Sequence, residues 1–116
     1  MAKKVEIFYT ETFGNTADNL IDHLSLYTDE LSVINRVEKL IESFENRVMT
    51  SPYSCPVSQT LLLIGIPNFR EYHLDSFRLI YQITELNDKI IVQADVLLSQ
   101  KQSIERSLVD YCLLFK

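Results

Sequence analysis

The sequence predicts an α+β domain in which helices cover one face of an antiparallel sheet. Three observations support this prediction. Apolar and polar residues alternate near the start of the chain, apolar residues recur at helical spacing over the next forty residues, and strand-like segments fill most of the second half. At 116 residues the chain is predicted to form a single domain, 1–116, which is large enough to fold without a metal or a disulfide.

The first half is predicted to be a strand followed by two helices. The strand is KVEIFYT, residues 4–10, in which polar and apolar side chains alternate. Apolar residues at helical spacing then mark the first helix, with Asn15 or Thr16 as its candidate N-cap: Ala17, Leu20, Ile21, Leu24 and Tyr27. A longer helix follows, with Ser32 as its candidate N-cap and these apolar positions: Val33, Ile34, Val37, Leu40, Ile41, Phe44 and Val48. Helices joined so briefly pack as an antiparallel hairpin.

The second half is predicted to hold three strands and a closing helix. LLLIGIPNFREYHLD, residues 61–75, reads as strand-like with a break at Gly65–Pro67, and SFRLIYQI continues it. The turn ELNDK leads to IIVQADVLLS, one face of which is unbroken and apolar: Ile90, Val92, Ala94, Val96 and Leu98. Short connections favour an antiparallel meander. The closing helix follows from the spacing of Ile104, Leu108, Tyr111, Cys112 and Phe115.

Four polar side chains are predicted to share the sheet face that the helices leave open. They are Arg78, Gln82, Gln93 and Asp95, which alternate with the apolar residues of the last two strands. A turn centred near Leu86–Asn87 would put Arg78 directly opposite Asp95, and a turn centred one residue later would make them diagonal. Either these two form an exposed cross-strand ion pair, worth less than about 1 kcal/mol, or this face is a binding or reaction surface with Arg78 at its centre.

Charge and composition restrict the functional class. The net charge is −5, and residues 1–58 hold five basic and nine acidic residues, so we expect no broad coating by nucleic acid. Two cysteines, Cys55 and Cys112, without a signal peptide suggest a reducing compartment. No apolar run approaches the roughly 20 residues that span a bilayer. We therefore expect a soluble cytoplasmic protein that does not enter a membrane.

Familiar catalytic and metal motifs are absent from the sequence. His23 and His73 stand apart from other metal-binding residue types, and neither CxxC nor HExxH occurs. No nucleophile, base and orienting group recur at a known spacing. We expect neither a metal nor a cofactor.

One stretch resembles a known family. FREYHLDSFRLIYQI, a turn, and IIVQADVLLSQKQ resemble the RelE/ParE superfamily, the toxins of bacterial type II toxin–antitoxin systems. The resemblance implies a growth-inhibiting toxin of the plasmid-stabilisation type, held inactive by a cognate antitoxin that wraps it. It also implies the target: ParE-like members bind and stall DNA gyrase, whereas RelE-like members cleave mRNA on the ribosome.

Three functions remain open on this resemblance. Arg70–Glu71 placed before Phe77–Arg78 is similar to ParE-type sequences and implies a gyrase-binding protein. An RNA-cleaving site would consist of Arg78 and Lys101, with Tyr81 and Arg70 as further candidates. The third possibility is a non-toxic member that retains partner binding only. Partner binding is assigned in every case to the polar face defined above, Arg78, Gln82, Gln93 and Asp95.

Overall fold

The structure, a computed structural model, describes residues 3–99 of the chain. Its elements in chain order are β1 Lys4–Tyr9, α1 Glu11–Leu24, α2 Glu30–Thr50, α3 Gln59–Leu63, β2 Phe69–Leu74, β3 Phe77–Glu85 and β4 Lys89–Ser99. The predicted α+β fold is confirmed, with an N-terminal strand, a helical hairpin and an antiparallel β2–β3–β4 meander. The closing helix predicted over residues 104–115 lies outside the described residues. Among those described, no helix is long and apolar enough to cross a bilayer.

The sheet has four strands in the order β1-β4-β3-β2. β1 pairs with β4 in parallel, with Val5 opposite Ile90 and Ile7 opposite Val92. The helical hairpin serves as part of the crossover that parallel pairing requires. The apolar stripes of α1 and α2 then pack on one sheet face, and we call the opposite face the outer sheet face.

Both helices begin earlier than the apolar periodicity predicted. Thr10 caps α1, because its hydroxyl accepts a hydrogen bond from the Phe13 amide at 3.0 Å. Asp29 caps α2 in the same way, accepting from the Ser32 amide at 3.1 Å. The predicted caps Asn15, Thr16 and Ser32 were therefore wrong. Apolar spacing locates the buried face of a helix, and the first turn can lie outside that stripe.

A β-bulge in β4 overturns the predicted unbroken apolar face. Tyr81 pairs with Ala94 but Ile80 pairs with Val96, so Asp95 is an extra residue. Beyond this bulge the alternation changes face. Val96 and Leu98 lie on the outer sheet face, and Leu97 joins the core under the helices.

The bulge also changes the partner of Arg78. Glu85 pairs with Ile90, so the β3–β4 turn is centred one residue later than Leu86–Asn87, which on its own would make Arg78 diagonal to Asp95. The bulge instead places Arg78 opposite Leu98, so neither predicted alignment with Asp95 occurs. The single extra residue in β4 shifts every pair on one side of it by one position.

The chain forms a second, smaller core on the outer sheet face. Residues 59–63 are a short helix, contrary to the strand-like prediction for this stretch, and Ser58 caps it by accepting from the Leu61 amide at 3.4 Å. Leu61 is fully buried with outer-face residues of the three meander strands: Phe69, Ile80, Val96 and Leu98. The outer sheet face is therefore covered beside α3 and exposed towards β1, where Phe8 is 52% exposed.

Candidate functional site

The outer sheet face carries two groups of polar side chains. The register of β2 and β3 places His73 opposite Arg78 and Glu71 opposite Ile80, so Glu71, His73 and Arg78 lie on one face at adjacent positions. We call these three the Arg78 group. The register of β3 and β4 places Gln82 opposite Gln93 next to the bulged Asp95. We call Gln82, Gln93 and Asp95 the Asp95 group.

The Arg78 group is organised around one carboxylate oxygen. The Arg78 guanidinium donates to Glu71 Oε1 from Nε at 3.0 Å and from Nη2 at 2.8 Å. His73 Nε2 lies 2.6 Å from the same oxygen. Glu71 is 5% exposed, so this ion pair is largely removed from water. The predicted ion pair between Arg78 and Asp95 is therefore wrong, because Glu71 takes the guanidinium.

Electrostatics in this group favour the charged carboxylate. Burial alone would raise the pKa of Glu71, but hydrogen bonds from Ser58, His73 and Arg78 outweigh it and hold that pKa below its usual value. Glu71 is thus ionised at neutral pH and neutralises much of the Arg78 charge locally. A shallow pocket of about 180 Å³ lies beside the group, bordered also by Val57 and Thr60.

The Asp95 group consists of one carboxylate and two neutral amides. Gln82 Nε2 donates to Asp95 Oδ2 and Gln93 Nε2 donates to Asp95 Oδ1, both at 2.8 Å. Asp95 is 1% exposed, and its burial raises its pKa more than the two amide hydrogen bonds lower it. The Thr10 hydroxyl donates to the Asp95 backbone carbonyl at 3.3 Å and so ties the bulge to the start of α1.

The other candidate residues lie elsewhere. Tyr81 is completely buried under the helices, and its hydroxyl donates to the Pro52 carbonyl at 3.2 Å. Arg70 donates to the Cys55 carbonyl at 2.6 Å and its guanidinium lies 5.2 Å from the Tyr53 ring centroid. Lys101 lies outside the described residues. The structure therefore brings Gln82, Gln93 and Asp95 together, places Arg78 nearby on the same face, and separates Tyr81 and Arg70 from them.

Two residues of this face were not singled out by the sequence analysis. Glu71 received no role as the partner of Arg78, although the signal lay in the two-residue turn at Asp75–Ser76. Both residues have positive φ, 51° and 65°, as a tight hairpin turn requires. That turn fixes the β2–β3 register and brings Glu71 to Arg78.

Phe8 is the second. It pairs with Gln93 in the parallel β1–β4 ladder and borders the Asp95 group on the exposed part of the face. Only the parallel pairing of β1, which no local pattern reports, places it there. Within residues 3–99, His, Cys, Asp and Glu side chains form no group of three that could hold a metal ion.

Comparison with known proteins finds a likeness at the level of structure alone. No protein-family model matches the sequence, and no curated protein matches it. A chain of the chromosomal ParDE TA (toxin–antitoxin) system from P. aeruginosa has a similar structure, with a TM-score of 0.61. The likeness covers 84% of this chain and 98% of that chain at 11% sequence identity. At this identity the likeness concerns the fold, and the chain described here has a RelE/ParE-like fold.

Proposed function

We propose that the chain is the toxin component of a type II toxin–antitoxin module and is neutralised by a cognate antitoxin. The likeness to a chain of a ParDE system, extending over 98% of that chain, is the observation that supports this most strongly. Because a fold does not determine an activity, the proposal also depends on the chemistry of the outer sheet face.

Within this function we propose that the chain acts by binding DNA gyrase and not by cleaving RNA. Phosphoryl-transfer chemistry needs cations or donors aimed at the charge that develops in the transition state. The Arg78 guanidinium is instead satisfied by the buried Glu71 carboxylate through two hydrogen bonds. Its neighbours in the Asp95 group are a carboxylate and two amides. A neutralised cation supports a role in binding better than a role in catalysis.

We place the target-binding surface on the exposed part of the outer sheet face. Phe8 supplies an exposed aromatic ring there, and Gln82 and Gln93 supply amides held in fixed positions by Asp95. An aromatic anchor next to ordered polar groups is typical of protein–protein interfaces. Arg78 borders this surface, on the side covered by α3.

Induction of the chain in a bacterium tests the function directly. The chain is expressed with and without the adjacent small open reading frame, while translation and DNA integrity are followed separately. We expect filamentation and double-strand breaks that the neighbouring gene product suppresses. Early arrest of translation would support ribosome-dependent RNA cleavage instead, and unimpaired growth would support the non-toxic alternative.

A pair of surface variants tests the proposed surface. Phe8→Ser is expected to abolish toxicity while leaving the thermal unfolding midpoint close to that of the parent chain. Leu63→Ser is the matched control, because Leu63 is 85% exposed on α3 and does not belong to this surface. Full toxicity of the folded Phe8→Ser chain would contradict the placement of the surface without contradicting the toxin assignment.

A further inference from the structure

A polar cavity of about 410 Å³ lies where β2 separates from β3. We call it the Arg70 cavity, because among the residues that line it, all of them in the described part of the chain, Arg70 is the one charged side chain. The other polar groups and the one aromatic ring of the lining come from Tyr53, Asn68, Gln82, Ile83 and Thr84, of which Ile83 contributes through its backbone.

The positive charge of Arg70 has no carboxylate partner within residues 3–99. Its Nη1 donates to the Cys55 carbonyl at 2.6 Å and to the Tyr53 carbonyl at 3.3 Å. Arg36 and Arg78, by contrast, are each paired with a carboxylate at 2.8 Å. Nε and Nη2 of Arg70 donate to no group of the described chain, so the guanidinium retains its charge and two nitrogens with which to hold an anion.

The backbone of Ile83 adds a further donor to the cavity. The Phe69 carbonyl and the Glu71 amide bond to residues 56–58, at 2.8 and 3.1 Å, so both of these residues direct their backbone groups away from β3. The residue between them directs its own groups to Tyr81, and Ile83 lies two positions further along β3 and faces the same side. The β2–β3 ladder stops one residue before Ile83, so the Ile83 amide and carbonyl have no strand partner there.

The remaining polar groups of the cavity are neutral. Gln82 Nε2 donates to Asp95 at 2.8 Å, which leaves the Gln82 carbonyl oxygen to accept from a hydroxyl group. The Asn68 and Thr84 side chains are exposed and bond to no other group of the described residues. Amide and hydroxyl groups both donate and accept, so this part of the lining suits a ligand that carries several hydroxyl groups.

The balance of charge selects the class of anion. Glu85, which follows Thr84, is paired with Lys3 at 3.1 Å and so leaves the Arg70 charge uncompensated. One guanidinium matches one carboxylate, which it holds through two parallel N–H···O bonds. A nucleic-acid backbone carries many phosphates and is bound by clusters of cations, which this cavity lacks. A small monoanion therefore fits the cavity better than a polyanion does.

We propose that the Arg70 cavity binds a small monocarboxylate that carries several hydroxyl groups. Its carboxylate accepts from the Arg70 guanidinium and the Ile83 amide, and its hydroxyl groups bond to Asn68, Gln82 and Thr84. The site is separate from the Arg78 group and shares only Gln82 with the Asp95 group. The proposal therefore goes beyond the proposed function and does not depend on it.

NMR titration of the full chain, labelled with ¹⁵N, tests the site with gluconate as the probe. Sorbitol is the matched probe, because it has the same six-carbon chain of hydroxyl groups and no carboxylate. We expect gluconate to shift the amide resonances of Arg70, Ile83 and Thr84 saturably, with a Kd on the order of 1 mM. Sorbitol is expected to bind at least about tenfold more weakly, since it cannot pair with the guanidinium.

Three variants locate the binding. Arg70→Gln removes the charge but keeps a donor for the Cys55 carbonyl, and it is expected to weaken gluconate binding by at least about tenfold. Thr84→Val removes a side-chain hydroxyl that the described fold does not use, and it is expected to weaken binding about two- to tenfold. Arg36→Gln is the matched control and should retain the parent affinity, because Arg36 is already paired with Asp75.

Several outcomes would overturn the proposal. They are equal affinities for gluconate and sorbitol, or an unchanged affinity for gluconate in both the Arg70→Gln and the Thr84→Val chains. Tighter binding of inorganic phosphate or of a single-stranded RNA oligonucleotide than of gluconate, at the same resonances, would overturn the assigned class of ligand. None of these outcomes bears on whether the chain inhibits growth.

Discussion

Two buried carboxylates of the outer sheet face, Glu71 and Asp95, lie in opposite electrostatic environments. Glu71 is neutralised by Arg78, and hydrogen bonds from Ser58, His73 and Arg78 hold its pKa low despite burial. Asp95 accepts hydrogen bonds from two neutral amides, which leaves desolvation dominant and its pKa high. Folding should therefore gain stability from ionised Glu71 at neutral pH and lose stability by burying ionised Asp95.

Glu71→Gln is expected to lower the free energy of unfolding at pH 7 by about 2–4 kcal/mol, because it leaves the largely buried Arg78 without its counter-charge. The stabilising effect of Glu71 is fully present above the usual carboxyl pKa and is lost as pH falls through the lowered one. Urea unfolding at several pH values measures this difference. Asp75→Asn, which removes the exposed partner of Arg36, is the control and should cost less than about 1 kcal/mol. Equal effects of the two substitutions would contradict the structural role of Glu71.

The stability of Asp95→Asn relative to the parent chain is expected to change with pH in the opposite sense from that of Glu71→Gln. The folded-state pKa of Asp95 is raised, so the wild-type chain gains stability as pH falls from neutral through that pKa, and the variant lacks this gain. The variant should be at least as stable as the parent at pH 7, with its relative advantage shrinking towards pH 4. Calorimetric midpoints across this range measure the difference. A large destabilisation at pH 7 would show that the charged carboxylate is needed to hold Gln82 and Gln93.

At the level of elements, the caps show what periodicity can and cannot locate. The apolar stripe of α1 runs through Ala17, Leu20 and Leu24 as predicted, because those positions must face the sheet. The helix start depends instead on Thr10, whose role follows from its place directly after β1. Thr16, a predicted cap, instead lies inside the helix and accepts from the Leu97 amide at 3.0 Å, joining α1 to β4.

Thr10→Ala is expected to cost about 0.5–2 kcal/mol, because it removes the acceptor for the Phe13 amide at the start of α1. Asn15→Ala is the matched control, since Asn15 is an exposed residue inside the helix, where alanine has the higher helical propensity. That control should leave stability unchanged or raise it slightly. Chemical unfolding of both variants measures the contrast, and a greater loss in Asn15→Ala would contradict the observed helix start.

The short helix α3 matters because it completes the second core. Leu61→Ala is expected to destabilise the chain by about 2–5 kcal/mol, as for other fully buried leucines. Leu63→Ala, at an 85% exposed position of the same helix, should change the unfolding free energy little. Thermal or urea unfolding of Leu61→Ala and Leu63→Ala measures the difference in stability between the two variants. Similar behaviour of the two variants would mean that α3 does not cover the outer sheet face.

The β4 bulge explains why the face of its last residues escaped prediction. Val96, Leu97 and Leu98 are three apolar residues in succession, so either alternation gives an apolar face. The chain uses both faces there: Leu97 packs under the helices, and Val96 and Leu98 pack under α3. Amino-acid type alone cannot distinguish the two registers when apolar cores lie on both sides of a sheet.

For the whole molecule, the sequence predicted the meander because each of its strands pairs with the next along the chain. It did not predict the partner of β1, since β1 pairs with residues 89–94, far away in sequence. The polar face was predicted in composition, through Arg78, Gln82, Gln93 and Asp95. Its internal pairing was not, because the bulge and the Asp75–Ser76 turn decide which charges meet.

The acidic balance of the whole chain leads to a further expectation. With a net charge of −5, the chain should show no measurable non-specific affinity for duplex DNA or single-stranded RNA at about 0.1 M salt. Filter binding measures this. A variant with Asp22→Lys and Glu30→Lys is the comparison, because it reverses two charges near the connection between α1 and α2, and its affinity for nucleic acid should not be lower than that of the parent chain. Tight binding of RNA by the parent chain would favour the RNA-cleaving alternative.

The parallel pairing of β1 with β4 has a consequence for biosynthesis. β1 is synthesised first, and its partner β4 begins about 85 residues later, which corresponds to roughly 4–17 s at the usual rate of translation. Until then Val5 and Ile7 have no partner strand, and a nascent chain stalled before residue 89 lacks β4, the strand that joins β1 to β3. Completion of this sheet is therefore expected to follow the synthesis of β4 and not to proceed strand by strand along the growing polypeptide.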